Sequence, residues 1–418
     1  MLKFNMRLNR KIRLNNSWLV FLLLFSLFPP RYFEENAIIN LVLAAMKFFA
    51  ALIVLLVYIK KIKLHLRKKY NILLVCIWLE LLVSTFISVN IGASVYQCCI
   101  AMLQVITTCF LVEELMTYAP IYGIKCMYIY FSLCVLVNTA TVFIFPNAMY
   151  ADQGGWRCWI LGDDNTAYAY YIVASTIASL YVDYIAKRIT FISICVWVSA
   201  FIYVFQRGIG TGIMCQLIWL FLFLGSRFKC FRKILNAHYA LYITIGFFLL
   251  IVLSRKFILE PIVTALGKTV TLSGRTIIWD TVLKSVRDKI CLGYGFFVRE
   301  GFNKLLSLRG GGTHNYFLNL LFQGGIVGVS LFSMLIFYAC RTKKELLGTN
   351  YYKCLTIGLL VLAVRFLVEN GRNEFFYMVL AMISYTPEFI ENYSKLYLGQ
   401  SVKPLCFKIR QRKLRIIA

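Results

Sequence analysis

The chain is short of charge, and of negative charge most of all. Charged residues fill 15% of its 418 positions, with 18 Asp and Glu against 45 Lys and Arg. A soluble domain carries about a quarter charged residues, so this one cannot coat itself in water. No Cys-x-x-Cys pair and no His/Cys cluster occurs, although there are 14 cysteines. A zinc site and a disulfide framework are therefore not expected. Cys76, Cys98, Cys99, Cys109 and Cys134 lie inside apolar runs, where a thiol acts as a small hydrophobe. Cys158 and Cys291 fall in expected external loops and are expected to stay unpaired. No internal repeat and no low-complexity linker is present. The apolar run from Trp18 to Phe28 lacks a small-residue cleavage site and leads into Pro29-Pro30, so it is read as a retained helix and not a signal peptide.

What fills the chain is hydrocarbon. The hydrophobic fraction is 60% and the aromatic fraction 16%. Asn40–Ile59, Ile72–Val89 and Ala240–Leu253 are long, nearly uncharged runs. About 20 such residues span the bilayer core as a helix, and helices satisfy their own backbone groups there. The expectation is one all-α, polytopic membrane domain over residues 1–418, with about twelve transmembrane helices. They are placed near 17–30, 37–59, 71–90, 93–112, 124–145, 166–182, 190–206, 209–225, 238–254, 314–340, 352–369 and 374–392.

The net charge of +27 does not imply nucleic acid. The basic residues cluster between apolar blocks, near residues 3–13, 60–69, 227–233, 341–344 and 403–415. This is the pattern of cytoplasmic loops. Twelve spans put every cluster and both termini in the cytoplasm of a multi-pass cell-membrane protein.

Two external segments result, residues 146–165 and 255–313. Long loops are often functional. In the second, Ile278, Trp279, Val282, Leu283, Val286 and Ile290 recur at helical spacing, with Ser273 as cap. An amphipathic helix lying at the outer membrane surface is expected. The loop holds ten cations (Arg255, Lys256, Lys268, Arg275, Lys284, Arg287, Lys289, Arg299, Lys304, Arg309) against four acids (Glu260, Asp280, Asp288, Glu300). Contact with anionic headgroups and a site for an anionic substrate both account for that excess.

Three residues could carry chemistry. Arg207 ends a span among glycines, in Gln206-Arg207-Gly208, where a cation needs a partner or an aqueous cavity. Arg275, in Ser273-Gly274-Arg275, opens the amphipathic helix, where its fork suits phosphate oxygens. His314 follows Gly310-Gly311-Gly312-Thr313 at a helix entrance and could exchange a proton near neutral pH. Bland readings stand beside each: a snorkelling arginine, a surface arginine, a capping histidine. Asp163-Asp164-Asn165 reads as a helix cap. Glu369, Arg372 and Glu374 at the last external turn read as a local ion pair.

In order, Gln206-Arg207-Gly208, Ser273-Gly274-Arg275…Trp279, Gly293-Tyr294-Gly295 and His314-Asn315-Tyr316-Phe317-Leu318 with Gly324-Gly325 resemble the O-antigen polymerase/ligase family. The resemblance is strongest over residues 205–331. The family's first arginine often follows Ser, whereas Gln206 stands here. The resemblance implies a metal-independent glycosyltransferase without cofactor, moving glycan from a polyprenyl diphosphate to an acceptor sugar at the outer membrane face. It implies Arg207 and Arg275 on the diphosphate and His314 on the acceptor or leaving group. Trp279, Asn315 and Arg287 are expected to complete the substrate site. A polymerase for O-antigen, capsule or exopolysaccharide is the expected member, and a ligase the nearest alternative. A transporter would need internal symmetry and paired intramembrane charges. Its partners are expected to be the lipid-linked oligosaccharide, the acceptor glycan, the bilayer and other polysaccharide-assembly proteins, with no nucleic acid.

Overall fold

A computed structural model describes residues 17–59, 68–152, 155–226, 228, 235–239, 241–242, 244–246, 275–307, 312–342 and 344–398. Ser273, the start of the external loop, most of the expected 238–254 span and most of the basic clusters lie outside these residues. In chain order the α-helices are α1 Ser17–Leu27, α2 Arg31–Glu35, α3 Ala37–Ile59, α4 Lys69–Ile87, α5 Val95–Tyr118, α6 Pro120–Ile144, α7 Asp164–Tyr181, α8 Phe191–Gln206, α9 Gly210–Gly225, α10 Arg275–Val286, α11 Arg299–Leu306, α12 Tyr316–Cys340, α13 Asn350–Phe366, α14 Glu374–Ser384 and α15 Thr386–Leu398. A two-strand antiparallel hairpin, Tyr150–Ala151 with Arg157–Cys158, sits between α6 and α7.

The all-α membrane architecture stands, and the count of twelve spans is not confirmed. Among the described residues six helices are long and apolar enough to cross a membrane: Ala37–Val57, Lys69–Ile87, Val95–Tyr118, Pro120–Ile144, Asp164–Ala186 and Tyr316–Cys340. Four shorter apolar helices accompany them, Trp18–Leu27, Phe191–Gln206, Gly210–Gly225 and Glu374–Ser384. The reasons are local. Pro29-Pro30 follow the end of α1, and α13 carries Lys353 and Arg365 within 17 residues. The run expected over 374–392 divides at Tyr385 into α14 and α15.

Packing is arranged for lipid. Every residue from Ala167 to Leu180 in α7, and from Glu374 to Ile383 in α14, is buried. Such helices are apolar all round and form the centre. The outer helices turn apolar side chains outward instead. Ile38, Leu41, Val42, Phe48 and Phe49 of α3 are exposed, as are Phe191, Ile192, Ile194 and Val198 of α8. In water these would be sticky patches; hydrocarbon solvates them.

A second, smaller core lies apart. Ile278, Trp279, Val282 and Val286 of α10 pack with Phe302 and Leu306 of α11 and with Leu318 and Phe322 of α12. The amphipathic helix is present, but its apolar face is covered by protein. It was expected to rest on lipid; α11 and the head of α12 compete for that face and win, because they bring matching side chains to it.

Beneath this cap α12 breaks. Gly325 has φ +56° and ψ −156°, well outside helical values. The freed groups are taken up by the segment Ile290–Gly295. Ile326 N–H donates to Ile290 O at 2.9 Å and Val327 N–H to Cys291 O at 3.1 Å, while Tyr294 and Gly295 N–H donate to Phe322 O and Gln323 O at 2.8 Å each. The Ser84 hydroxyl of α4 donates to Leu292 O at 2.5 Å. Irregular backbone at membrane depth survives only when protein satisfies it in this way. The glycines are required by contact. A Cβ on Gly293 would come within 2.6 Å of the Gln323 backbone, one on Gly295 would overlap Thr85, and one on Gly325 would overlap Cys291.

Gly325→Ala should lower the thermal midpoint of the detergent-solubilised protein. Strain of the positive φ alone is about 1–3 kcal/mol, and the overlap adds to it. Gly348→Ala is the control, since its Cβ meets nothing within 4 Å. Equal midpoints for the two variants would contradict this account of the break.

Candidate functional site

The site assembles where α7 and α12 begin and α8 and α13 end. Its centre is Glu369, in the turn that follows α13. The side chain is 10% exposed. Arg275, the first residue of α10, donates from Nη2 to its Oε1 at 2.6 Å. His314 Nδ1 lies 4.0 Å from its Oε2. Arg365, one helical turn earlier, adds a further positive charge to its surroundings. Burial by itself would raise the Glu369 pKa. The contact with His314 and the charges of Arg275 and Arg365 outweigh it, so the carboxyl titrates below its ordinary range.

Each partner is positioned by its neighbours. Trp279 is fully buried, and its indole N–H donates to Thr313 O at 2.9 Å. That bond fixes the approach to His314, which has φ +49°, a left-handed backbone uncommon for a residue with a side chain. Asn315 caps α12 by accepting from Leu318 N–H at 2.9 Å, and its Nδ2 donates to Leu367 O at 2.8 Å. The cap thus ties the His314 loop to the turn that carries Glu369. Arg365 is buried, donating to Gly371 O at 2.7 Å and Asn165 O at 2.8 Å.

Arg207 occupies the neighbouring element. As the cap of α8 it donates to Asp164 at 3.0 Å from Nε and 3.4 Å from Nη2. Its guanidinium lies over the Trp159 ring, 4.0 Å from the centroid. Trp159 is held in turn by donation to Phe145 O at 2.9 Å. Through Asp164, Asn165 and Arg365 the Arg207 pair is continuous with the Glu369 cluster. Asp163 precedes α7 but makes no side-chain capping bond, and Asp164 serves Arg207.

The structure therefore joins Arg275 and His314 directly and Arg207 through intermediates. It gives Trp279 and Asn315 buried, structural partners. Arg287 is exposed and sits twelve residues beyond Arg275, about 18 Å along the helix direction. The reading of Glu369 as part of a local pair at its turn is corrected. The local pair is Arg372 with Glu374 at 3.4 Å, joined by Glu34 at 3.3 Å, whereas Glu369 reaches across to α10 and α12. Arg365 was missed. Its signal was an arginine inside an apolar helix four residues before a glutamate. Among the described residues no group of three or more His, Cys, Asp or Glu could hold a metal ion.

Residues 166–333 match the family model for O-antigen ligase. The match spans 168 of the 418 residues and includes Arg207, Arg275, Trp279, His314 and Asn315, ending before Glu369. It supports the O-antigen polymerase/ligase family and a general enzymatic role for this membrane protein in glycan transfer. No curated protein and no solved structure shows significant similarity to the chain.

Because the folded Glu369 carboxyl is more acidic than an unfolded one, it stabilises the fold above the ordinary carboxylate pKa of about 4.3. That stability is lost as pH falls through its lower, folded value. Wild-type protein should therefore lose thermal stability more steeply than Glu369→Gln below about pH 4. Parallel curves of melting temperature against pH would refute the depressed carboxyl.

Proposed function

We propose that the chain is a polysaccharide polymerase of the cell membrane. It transfers a glycan from a polyprenyl diphosphate to the terminal sugar of an acceptor repeat unit at the outer face. The observation that carries the reading is Glu369, which brings together an arginine from one end of the external loop and a histidine from the other.

In this reading Arg275 binds the diphosphate. One of its donors is held by Glu369, and its other N–H groups have no hydrogen-bond partner among the described residues. A fork with donors to spare suits phosphate oxygens. Arg207, flattened on Trp159, adds a second cation. Glu369 faces His314 Nδ1 and so favours the tautomer with the proton there, leaving Nε2 to accept one. The 4.0 Å separation exceeds a hydrogen bond, and such contacts tighten when substrate binds. His314 Nε2 takes the acceptor hydroxyl proton. The acceptor oxygen bonds to the anomeric carbon, the bond from that carbon to the phosphate oxygen breaks, and the electron pair leaves with the diphosphate. Fixed cations stabilise the charge that develops there.

The family description favours a second reading, transfer of finished polymer to a lipid or protein acceptor. Deletion followed by glycan sizing separates them. Single repeats on the final acceptor mean polymerase, and full-length polymer left on the lipid carrier means ligase.

His314→Ala should abolish chain growth with membrane levels unchanged. Arg275→Lys keeps charge but not fork geometry and should lose on the order of 10²-fold in rate. Wild-type polymer length in either variant would sink the assigned roles. Activity of the purified enzyme should survive EDTA; loss restored by a divalent metal would overturn the metal-free chemistry.

A further inference from the structure

Beside the charged cluster lies a cavity of about 230 Å³ whose lining contains no charged side chain. Gly312 and Asn370 line it. Gly312 precedes the Thr313-His314 step and Asn370 follows Glu369, so the cavity adjoins the reacting groups. We infer that it is a subsite for one uncharged sugar ring of the glycan substrate, recognised by side-chain amides and aromatic faces.

Two observations carry this. Asn319 and Gln323 both line the cavity and stand four residues apart on α12, hence on one face. Neither side chain makes a hydrogen bond to the described residues, although buried or half-buried amides are normally paired. An amide offers both donor and acceptor, which is what a hydroxyl or acetamido group needs. Asn370 and Asn373 come from the facing turn. The walls are aromatic, with Trp78, Phe296 and Tyr316 among them. The Trp78 indole N–H is buried without a partner, a further donor not used by the fold.

The lining also decides what is rejected. Burying a carboxylate without a counter-ion is costly. A uronic acid or other acidic sugar should therefore bind poorly, although cations stand close by around Glu369. The division of labour is chemical: arginines for the diphosphate, amides for the neutral ring next to it. This rests on the glycan-transfer reading but is tested apart from it.

The probes are the methyl glycosides of glucose, N-acetylglucosamine and glucuronic acid. Saturation-transfer NMR is run on the detergent-solubilised full chain. Transfer is expected to at least one neutral glycoside, with binding of the glucuronide at least about tenfold weaker. Gln323→Leu and Asn319→Leu should each weaken neutral binding by about tenfold. His314→Ala should leave it unchanged. Equal or stronger binding of the glucuronide, binding of none of the three, or wild-type binding by both amide variants would overturn the subsite. Gln323→Ala, a smaller change on an accessible face, replaces either leucine variant that does not elute as folded protein. If deleting the chain leaves cellular glycans unchanged while neutral sugars still bind the purified protein, the transfer reading falls and the subsite stands.

Discussion

One buried carboxylate organises the end of the bundle at which α7 and α12 begin. Glu369 cannot stay ionised in a water-poor turn without partners that offset its charge, and its partners come from three places: the head of α10, the entrance to α12 and the last turn of α13. The arginine and histidine are 39 residues apart in sequence, with the rest of α10 and all of α11 between them. Their meeting is a property of the fold, enforced by the cost of leaving the carboxylate alone. The same logic repeats one layer outward, where Arg207 is held by Asp164, and again where Arg372 draws Glu34 and Glu374 together.

Much of the architecture was legible because lipid imposes simple rules. Hydrophobic runs marked α3 to α9 to within six residues at either end, since a span must be long, apolar and helical. The lengths of the inner helices were less legible. Length rules assume that an apolar run faces lipid, whereas α13 and α14 are wrapped by protein and free to be short or to carry Lys353 and Arg365. The amphipathic period of α10 was read correctly, but periodicity names a face to be covered and not what covers it. Lipid and α11 were equally good candidates until the fold chose.

The site divided along similar lines. Arg207, Arg275 and His314 stood out because each is an expensive residue in a cheap context. Glu369 was visible but assigned to a nearby arginine, because adjacency in sequence is the only distance a sequence displays. Trp279 and Asn315, expected at the substrate, make anchoring bonds within the fold. Both motifs hold His314 and its loop in place, and motif residues of that kind look the same in sequence as residues that touch a ligand.

The tie between the broken helix and its loop has a consequence for length. From Ile290 to Phe296 the backbone is engaged on both edges, by α12 on one side and by Ser84 and Thr85 on the other. Such a stretch has no slack. One added residue would move a glycine out of its contact and drive a side chain into a neighbouring backbone. Insertions are thus shut out of the tie, while the turn between α12 and α13, where a Cβ added at Gly348 would meet nothing within 4 Å, can absorb them. Natural variation in chain length should be distributed accordingly, dense in the turns and absent from the seven residues that lace the external loop to the bundle.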